Sequence, residues 1–135
     1  MLYKTLIGIF FFSQCVINSW GLAQPTVSVS IKPLQLIAAA VTADITGYEE
    51  PGLIIGPAQD PHHPFMRPSE RRTLSDADIL LWVGPQLEAS LTELIDQSSA
   101  LVINVYELID DADLIITETN DPHIWLSPQN AKLIA

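Results

Sequence analysis

The chain is short of the residues from which several common classes of protein are built. It has one cysteine among 135 residues, and lysine and arginine together number six. The cysteine, Cys15, lies within the opening apolar segment, so everything after it lacks a thiol. A disulfide framework and a cysteine zinc cluster are excluded there. Any metal site in that part must use His, Asp, Glu or water. Sixteen acids against six bases leave a net charge of -10. A nucleic-acid partner is not expected, because phosphate binding needs clustered Lys and Arg. His-Glu-x-x-His, Gly-x-Ser-x-Gly, a Walker-type glycine loop and a Gly-rich dinucleotide turn are all missing. This absence favours binding over catalysis.

What remains is globular in character. Hydrophobic residues make up 48% of the chain and charged residues 16%, unlike a disordered segment. The length suits one domain. The first residues have a separate role. Lys4 precedes the apolar run Leu6-Ile7-Gly8-Ile9-Phe10-Phe11-Phe12, and Gly21-Leu22-Ala23 supplies small residues. Residues 1–23 therefore read as a signal peptide cleaved after Ala23, which implies export. The alternative is a membrane anchor, but Ser13, Gln14, Asn18 and Ser19 interrupt the apolar stretch and leave it short for a spanning helix. Lipoprotein-type cleavage before Cys15 is opposed by the bulky Phe12 in the segment Phe12-Ser13-Gln14.

Beyond residue 23 the pattern alternates between strand and helix. Thr26-Val27-Ser28-Val29-Ser30-Ile31 has strand periodicity. Pro33 then opens a helix carrying Leu34, Ile37, Ala38 and Val41 at helical spacing. Leu36, Ala39 and Ala40 make that helix apolar nearly all round, which predicts burial. Leu53-Ile54-Ile55 reads as a second strand, Ala58 to Pro68 as a proline-rich loop, and Ser69 to Ser75 as a short helix. The continuous apolar run Ile79-Leu80-Leu81-Trp82-Val83 suits a strand covered on both faces. Leu87, Leu91, Leu94 and Ile95 mark one face of a further helix. Leu101 to Val105 is the fourth strand. Asp110 to Asp121 is acidic and irregular, with Leu114-Ile115-Ile116 inside it, and Ser127-Pro128 opens a last helix. The expected fold is α/β, with a mostly parallel sheet flanked by helices.

Ligands of such sheets bind beyond the carboxyl ends of the strands. His62 follows the second strand and His123 follows the fourth, so both fall on that rim. Neutral imidazole is the commonest protein ligand for zinc. His62 and His63 are adjacent, so on an extended loop they point in different directions, and one of them is expected to face the site. Exposed loop histidines with no metal remain the alternative. Asp60 and Asp121 each stand two residues before a histidine. Each suits an Asx turn at an Asp-Pro step, or a carboxylate on the metal or behind an imidazole. Arg67 can pair with an acid and tie down the His62 loop. Trp82 and Trp125 read as core aromatics, and Trp125 can also shield the site.

At this point the sequence resembles a known family. His62-His63-Pro64-Phe65-Met66-Arg67-Pro68-Ser69 is similar to the "His-x-x-x-x-Arg-Pro-Ser" segment of periplasmic zinc-binding proteins of ABC importers. Asp76 to Glu88 resembles their "AD-apolar-WVGP-x-x-E" segment, and Asp121-Pro122-His123-Ile124-Trp125-Leu126-Ser127-Pro128 their "DPHxWLSP" segment. Ser30-Ile31-Lys32-Pro33-Leu34 resembles the opening "SIKPL" step. The resemblance implies two α/β lobes joined by a long helix, with the metal between them. Residues 24–126 would form the N-terminal metal-binding lobe, and residues 127–135 the start of the linking helix, with the second lobe absent. His62 and His123 would be ligands, with His63 as the alternative to His62. A third His and an acid would come from the other lobe. The implied cargo is zinc, and the implied partner is a membrane permease driven by an ATPase.

The sequence departs from the pattern at His63-Pro64, where an acidic-aromatic pair is usual. The His-rich acidic insertion before the second ligand is replaced by a short run with Asp110, Asp111, Asp113 and Glu118. Two imidazoles without the other lobe are expected to hold zinc weakly. Manganese or iron, which accept more oxygen ligands, a secreted metal-dependent hydrolase and a surface adhesin are the alternatives.

Overall fold

The computed structural model describes residues 23–111 and 121–135. The leader up to Leu22, with Cys15, and the run containing Leu114-Ile115-Ile116, Asp113 and Glu118 lie outside the described residues.

Four short strands form one parallel sheet in the order β2-β1-β3-β4. They are β1 (Val27–Val29), β2 (Gly52–Leu53), β3 (Ile79–Trp82) and β4 (Leu101–Asn104). Val27, Ser28 and Val29 pair with Ile79, Leu80 and Leu81, and β3 pairs in turn with β4 from Ile79–Leu101 to Trp82–Asn104. The polypeptide winds outward from the middle in both directions, so the winding reverses between β1 and β3. That is where parallel sheets of this kind open a crevice at their carboxyl ends.

The ladder continues past the formal strand ends toward this rim. Ser30 N–H donates to Leu81 O, Ile54 N–H to Val29 O and Ile55 N–H to Ser30 O. The expected second strand, Leu53 to Ile55, begins one residue after β2 does and runs on along the same ladder. At the opposite end Asp78 closes the sheet, its carboxylate accepting from Thr26 N–H at 2.8 Å and its carbonyl from Leu101 N–H at 2.8 Å.

Helix α1 (Lys32–Thr42) carries Pro33 in its first turn, where a missing N–H leaves nothing unpaired. It is not buried all round. Leu34 and Gln35 are its buried residues, whereas Leu36 is 60% exposed and Val41 52%. Only one face meets the sheet, and the uniform apolarity of this segment overstates its burial. Helix α2 (Pro68–Ser75) follows the proline-rich loop, as expected.

The single helix expected over Leu87 to Ile95 is broken into α3 (Pro85–Glu88), a 3-10 turn (Ala89–Leu91) and α4 (Thr92–Asp96). The break falls at Glu88, whose φ of -116° and ψ of 48° leave the helical region. The apolar spacing survives it, and Leu87, Leu91 and Ile95 are all buried. After β4, Val105 does not extend the strand but opens α5 (Val105–Asp111), where an irregular acidic segment was expected from Asp110. The last elements are a 3-10 turn (Ile124–Leu126) and α6 (Pro128–Ile134). Ser127 caps α6, its hydroxyl accepting from Asn130 N–H.

One core joins the layers. Val29, Leu34, Ile54, Leu80, Leu91 and Ile109 are sealed to within 1% exposure, each worth about 1.5–3 kcal/mol of burial. Trp82 belongs to this core as expected. Among the described residues no helix is long and apolar enough to cross a membrane.

Candidate metal centre

Both histidines of interest stand on turns made by their own neighbours. In the first, Asp60 Oδ1 accepts from His62 N–H at 3.0 Å and Asp60 O from His63 N–H at 3.2 Å. In the second, Asp121 Oδ1 accepts from His123 N–H at 3.0 Å. Each is an Asx turn, and each aspartate carboxyl is held below the usual carboxylate range, chiefly by that backbone N–H.

The two aspartates differ in the imidazole they reach. Asp121 Oδ1 lies 2.6 Å from His123 Nδ1. An ionised carboxylate only accepts, so Nδ1 carries the proton and Nε2 of the neutral ring is left bare as a ligand atom. Asp121 therefore acts both as turn former and as the group behind the imidazole. Asp60 instead reaches His63, with Oδ2 3.2 Å from Nδ1. His63 is 86% exposed at its side chain and is held in this outward pairing, while the His62 ring is left to turn the other way.

The structure brings His62 and His123 together across 61 positions of sequence. Their ring centres are 5.7 Å apart with planes at 64°. Two imidazoles that bind one ion through nitrogens at about 2.0–2.1 Å have ring centres about 5–6 Å apart at a tetrahedral angle. Trp125 stands edge-on to His123 with ring centres 5.3 Å apart. It also lines a cleft of about 180 Å³ with Ile31, Pro33, Ile55, Pro57 and Pro61. It is half-buried and packs against the edge of the core, with its ring beside His123.

The His123 segment is anchored from below. Ile124 is buried, and the buried Asn130 of α6 donates from Nδ2 to Ile124 O at 3.0 Å. No sequence reading singled out Asn130, although its place three residues after Ser127 in the first turn of α6 is a usable signal. The tie expected of Arg67 is made by its backbone. Arg67 N–H donates to Glu70 Oε2 at 2.6 Å, and among the described residues its guanidinium forms no ion pair. No group of three His, Cys, Asp or Glu that could hold a metal is present among the described residues. The His pair can fill two positions of a coordination sphere.

Comparison with known proteins bears on the fold and the family. Residues 27–135 match the family model described as zinc-uptake complex component A, periplasmic. A Rickettsia prowazekii protein described as uncharacterized is 30% identical over 132 residues, which cover 98% of this chain and 41% of that one. The high-affinity zinc uptake system protein ZnuA of Haemophilus ducreyi is 28% identical over 142 residues, covering 84% of this chain and 45% of that one. The chain thus spans less than half the length of these relatives. Among solved structures, the periplasmic zinc binding protein TroA from Treponema pallidum superimposes with a TM-score of 0.59 at 27% identity, over 82% of this chain and 42% of that one. The metal-dependent lipoprotein YcdH from Bacillus subtilis reaches 0.65 at 22% identity over 82% and 41%, which speaks for the fold alone. The four-stranded parallel sheet is the α/β fold of metal-binding solute-binding proteins, and the chain belongs to the family of the periplasmic zinc-uptake complex component A.

Proposed function

We propose that this chain captures zinc in the periplasm for delivery to the permease of an ABC importer, with His62 and His123 as two of the ligands. The observation that carries the proposal is the 5.7 Å approach of these two rings, one of them backed by Asp121. Imidazole donors suit zinc better than manganese, which prefers oxygen. Zinc is cargo in this reading, and the chain performs no catalysis. Residues 1–23 serve as a cleaved export signal, residues 24–126 form the metal-binding lobe, and residues 127–135 begin the helix toward the rest of the binding protein. The remaining coordination positions are filled from elsewhere in the full-length gene product or by water, because zinc takes about four ligands.

The pairing of His63 with Asp60 favours His62 as the ligand. The test is zinc competition titration of the full-length gene product with His62→Ala, His63→Ala and His123→Ala. His62→Ala and His123→Ala should each weaken binding by more than the roughly 10–100-fold that loss of an outer-shell partner costs, and His63→Ala should leave it near wild type. The reverse ranking of His62 and His63 would overturn the assignment.

A further inference from the structure

His62 rides on a loop that belongs to no helix or strand; Met66 at its end packs against the core, and one side chain spans its base. Gln59 Oε1 accepts from Phe65 N–H at 2.9 Å, and Gln59 Nε2 donates to Glu70 Oε1 at 2.7 Å. Glu70 is buried and belongs to α2, and its other oxygen takes the Arg67 N–H. Among the described residues this is the one side-chain hydrogen bond that joins residues 57–66 to a helix or strand.

We propose that Gln59, braced on Glu70, is a positioning residue that holds the His62 loop in its metal-ready conformation before the ion arrives. The proposal rests on the reading of His62 and His123 as ligands. An amide is the side chain this place needs, because it must accept at one end and donate at the other. A loop fixed in advance loses less conformational freedom when the ion binds, so affinity is gained without any new contact to the metal. The Asx turn at Asp60 sets the local bend around His62, whereas the Gln59 brace ties the whole loop to the body of the fold.

The hydrogen bonds can be exchanged end for end, and this supplies the test. In the swapped pair Gln59→Glu/Glu70→Gln, the introduced carboxylate accepts from Phe65 N–H and from the introduced amide. That amide's oxygen accepts from Arg67 N–H, so every bond of the brace is restored. Zinc affinity of the full-length gene product is measured by competition titration for wild type, Gln59→Leu, Gln59→Glu, the swapped pair and His62→Ala. Gln59→Leu should weaken binding by about tenfold, the lower end for a group that orients a ligand, and the swapped pair should return it to near wild type. Wild-type affinity in Gln59→Leu, or a swapped pair no better than Gln59→Leu, would overturn the proposal. Should Gln59→Leu fail to fold, the swapped pair against Gln59→Glu carries the comparison, and rescue is still required. Unchanged binding in His62→Ala would sink the ligand assignment itself, a result distinct from failure of the brace.

Discussion

Glu88 offers the sharpest energetic test of the fold that carries the site. Its carboxyl is fully buried at the point where the winding reverses between β1 and β3. Oε2 accepts from Val83 N–H at 3.1 Å and Gly84 N–H at 3.2 Å. Oε1 and the nearby Ser30 hydroxyl are buried without a well-formed hydrogen bond. Burial pushes the carboxyl up from 4.5 to about 7, with the Ser30 hydroxyl and the two backbone N–H groups limiting the rise. The folded protein therefore keeps this proton up to about pH 7, whereas the unfolded chain releases it near 4.5. Between those values the folded state binds more protons, so stability falls as pH rises. The gap corresponds to roughly 3 kcal/mol, at about 1.4 kcal/mol per pH unit.

Glu88→Gln has the shape of the protonated acid and cannot ionise. Urea unfolding of the metal-free protein, wild type and Glu88→Gln, would be followed from pH 5 to pH 8. The two should be similar near pH 5. The variant should be the more stable near pH 8, by as much as about 3 kcal/mol. Taking the difference cancels the other titrating groups, including the exposed Asp60 and Asp121, whose lowered pKa values act only in more acidic solution. Parallel stability curves across this range would refute the claim that burial governs the Glu88 carboxyl.

Three further outcomes follow from the geometry. Asp121→Ala removes the acceptor behind His123 Nδ1 and should weaken zinc binding by about 10–100-fold, read by competition titration. Gly84→Ala forces a side chain onto a φ of 137° and against Asn104 Oδ1 at 2.7 Å. It should cost about 1–3 kcal/mol or more, measured by urea unfolding at fixed pH. Leu80→Ala opens a cavity at a position with no exposure in the central strand pair, and thermal unfolding should report a loss of about 2–5 kcal/mol.

Much of the fold was legible because burial leaves a periodic trace. Ile79 to Val83 reads as a covered strand; β3 takes Ile79–Trp82 and leaves Val83 buried just beyond it, and the order of strand and helix gives the parallel sheet. Where the reading failed, a local signal was present but unweighed. Asn104 Oδ1 accepts from Glu107 N–H at 3.3 Å, so Asn104 is a helix cap with Glu107 three residues on. That pattern marks the start of α5, which the apolar run Leu101 to Val105 concealed. The expected long helix breaks at Glu88, whose side chain folds back on the N–H groups of Val83 and Gly84, five and four residues earlier, a contact that apolar spacing does not encode.

The site was legible in part. The positions of His62 and His123 on one rim follow from topology. The choice between His62 and His63 does not, since adjacent residues on a loop differ only in side-chain direction. The Asp60 contact to His63 supplies that direction, and nothing in an Asp-Pro-His-His string says which imidazole the carboxylate takes. Spacing is equally silent on Gln59 and Asn130, whose contacts are to Phe65 N–H and Glu70 Oε1 in the one case and Ile124 O in the other.

The most direct measurement is anomalous diffraction at the zinc edge from crystals of the zinc-loaded, full-length gene product. One zinc peak should lie within about 2.0–2.1 Å of an imidazole nitrogen from both His62 and His123, with Nε2 the coordinating atom of His123. A zinc ion bound to His63 in place of His62, or one that neither His62 nor His123 touches, would contradict the account.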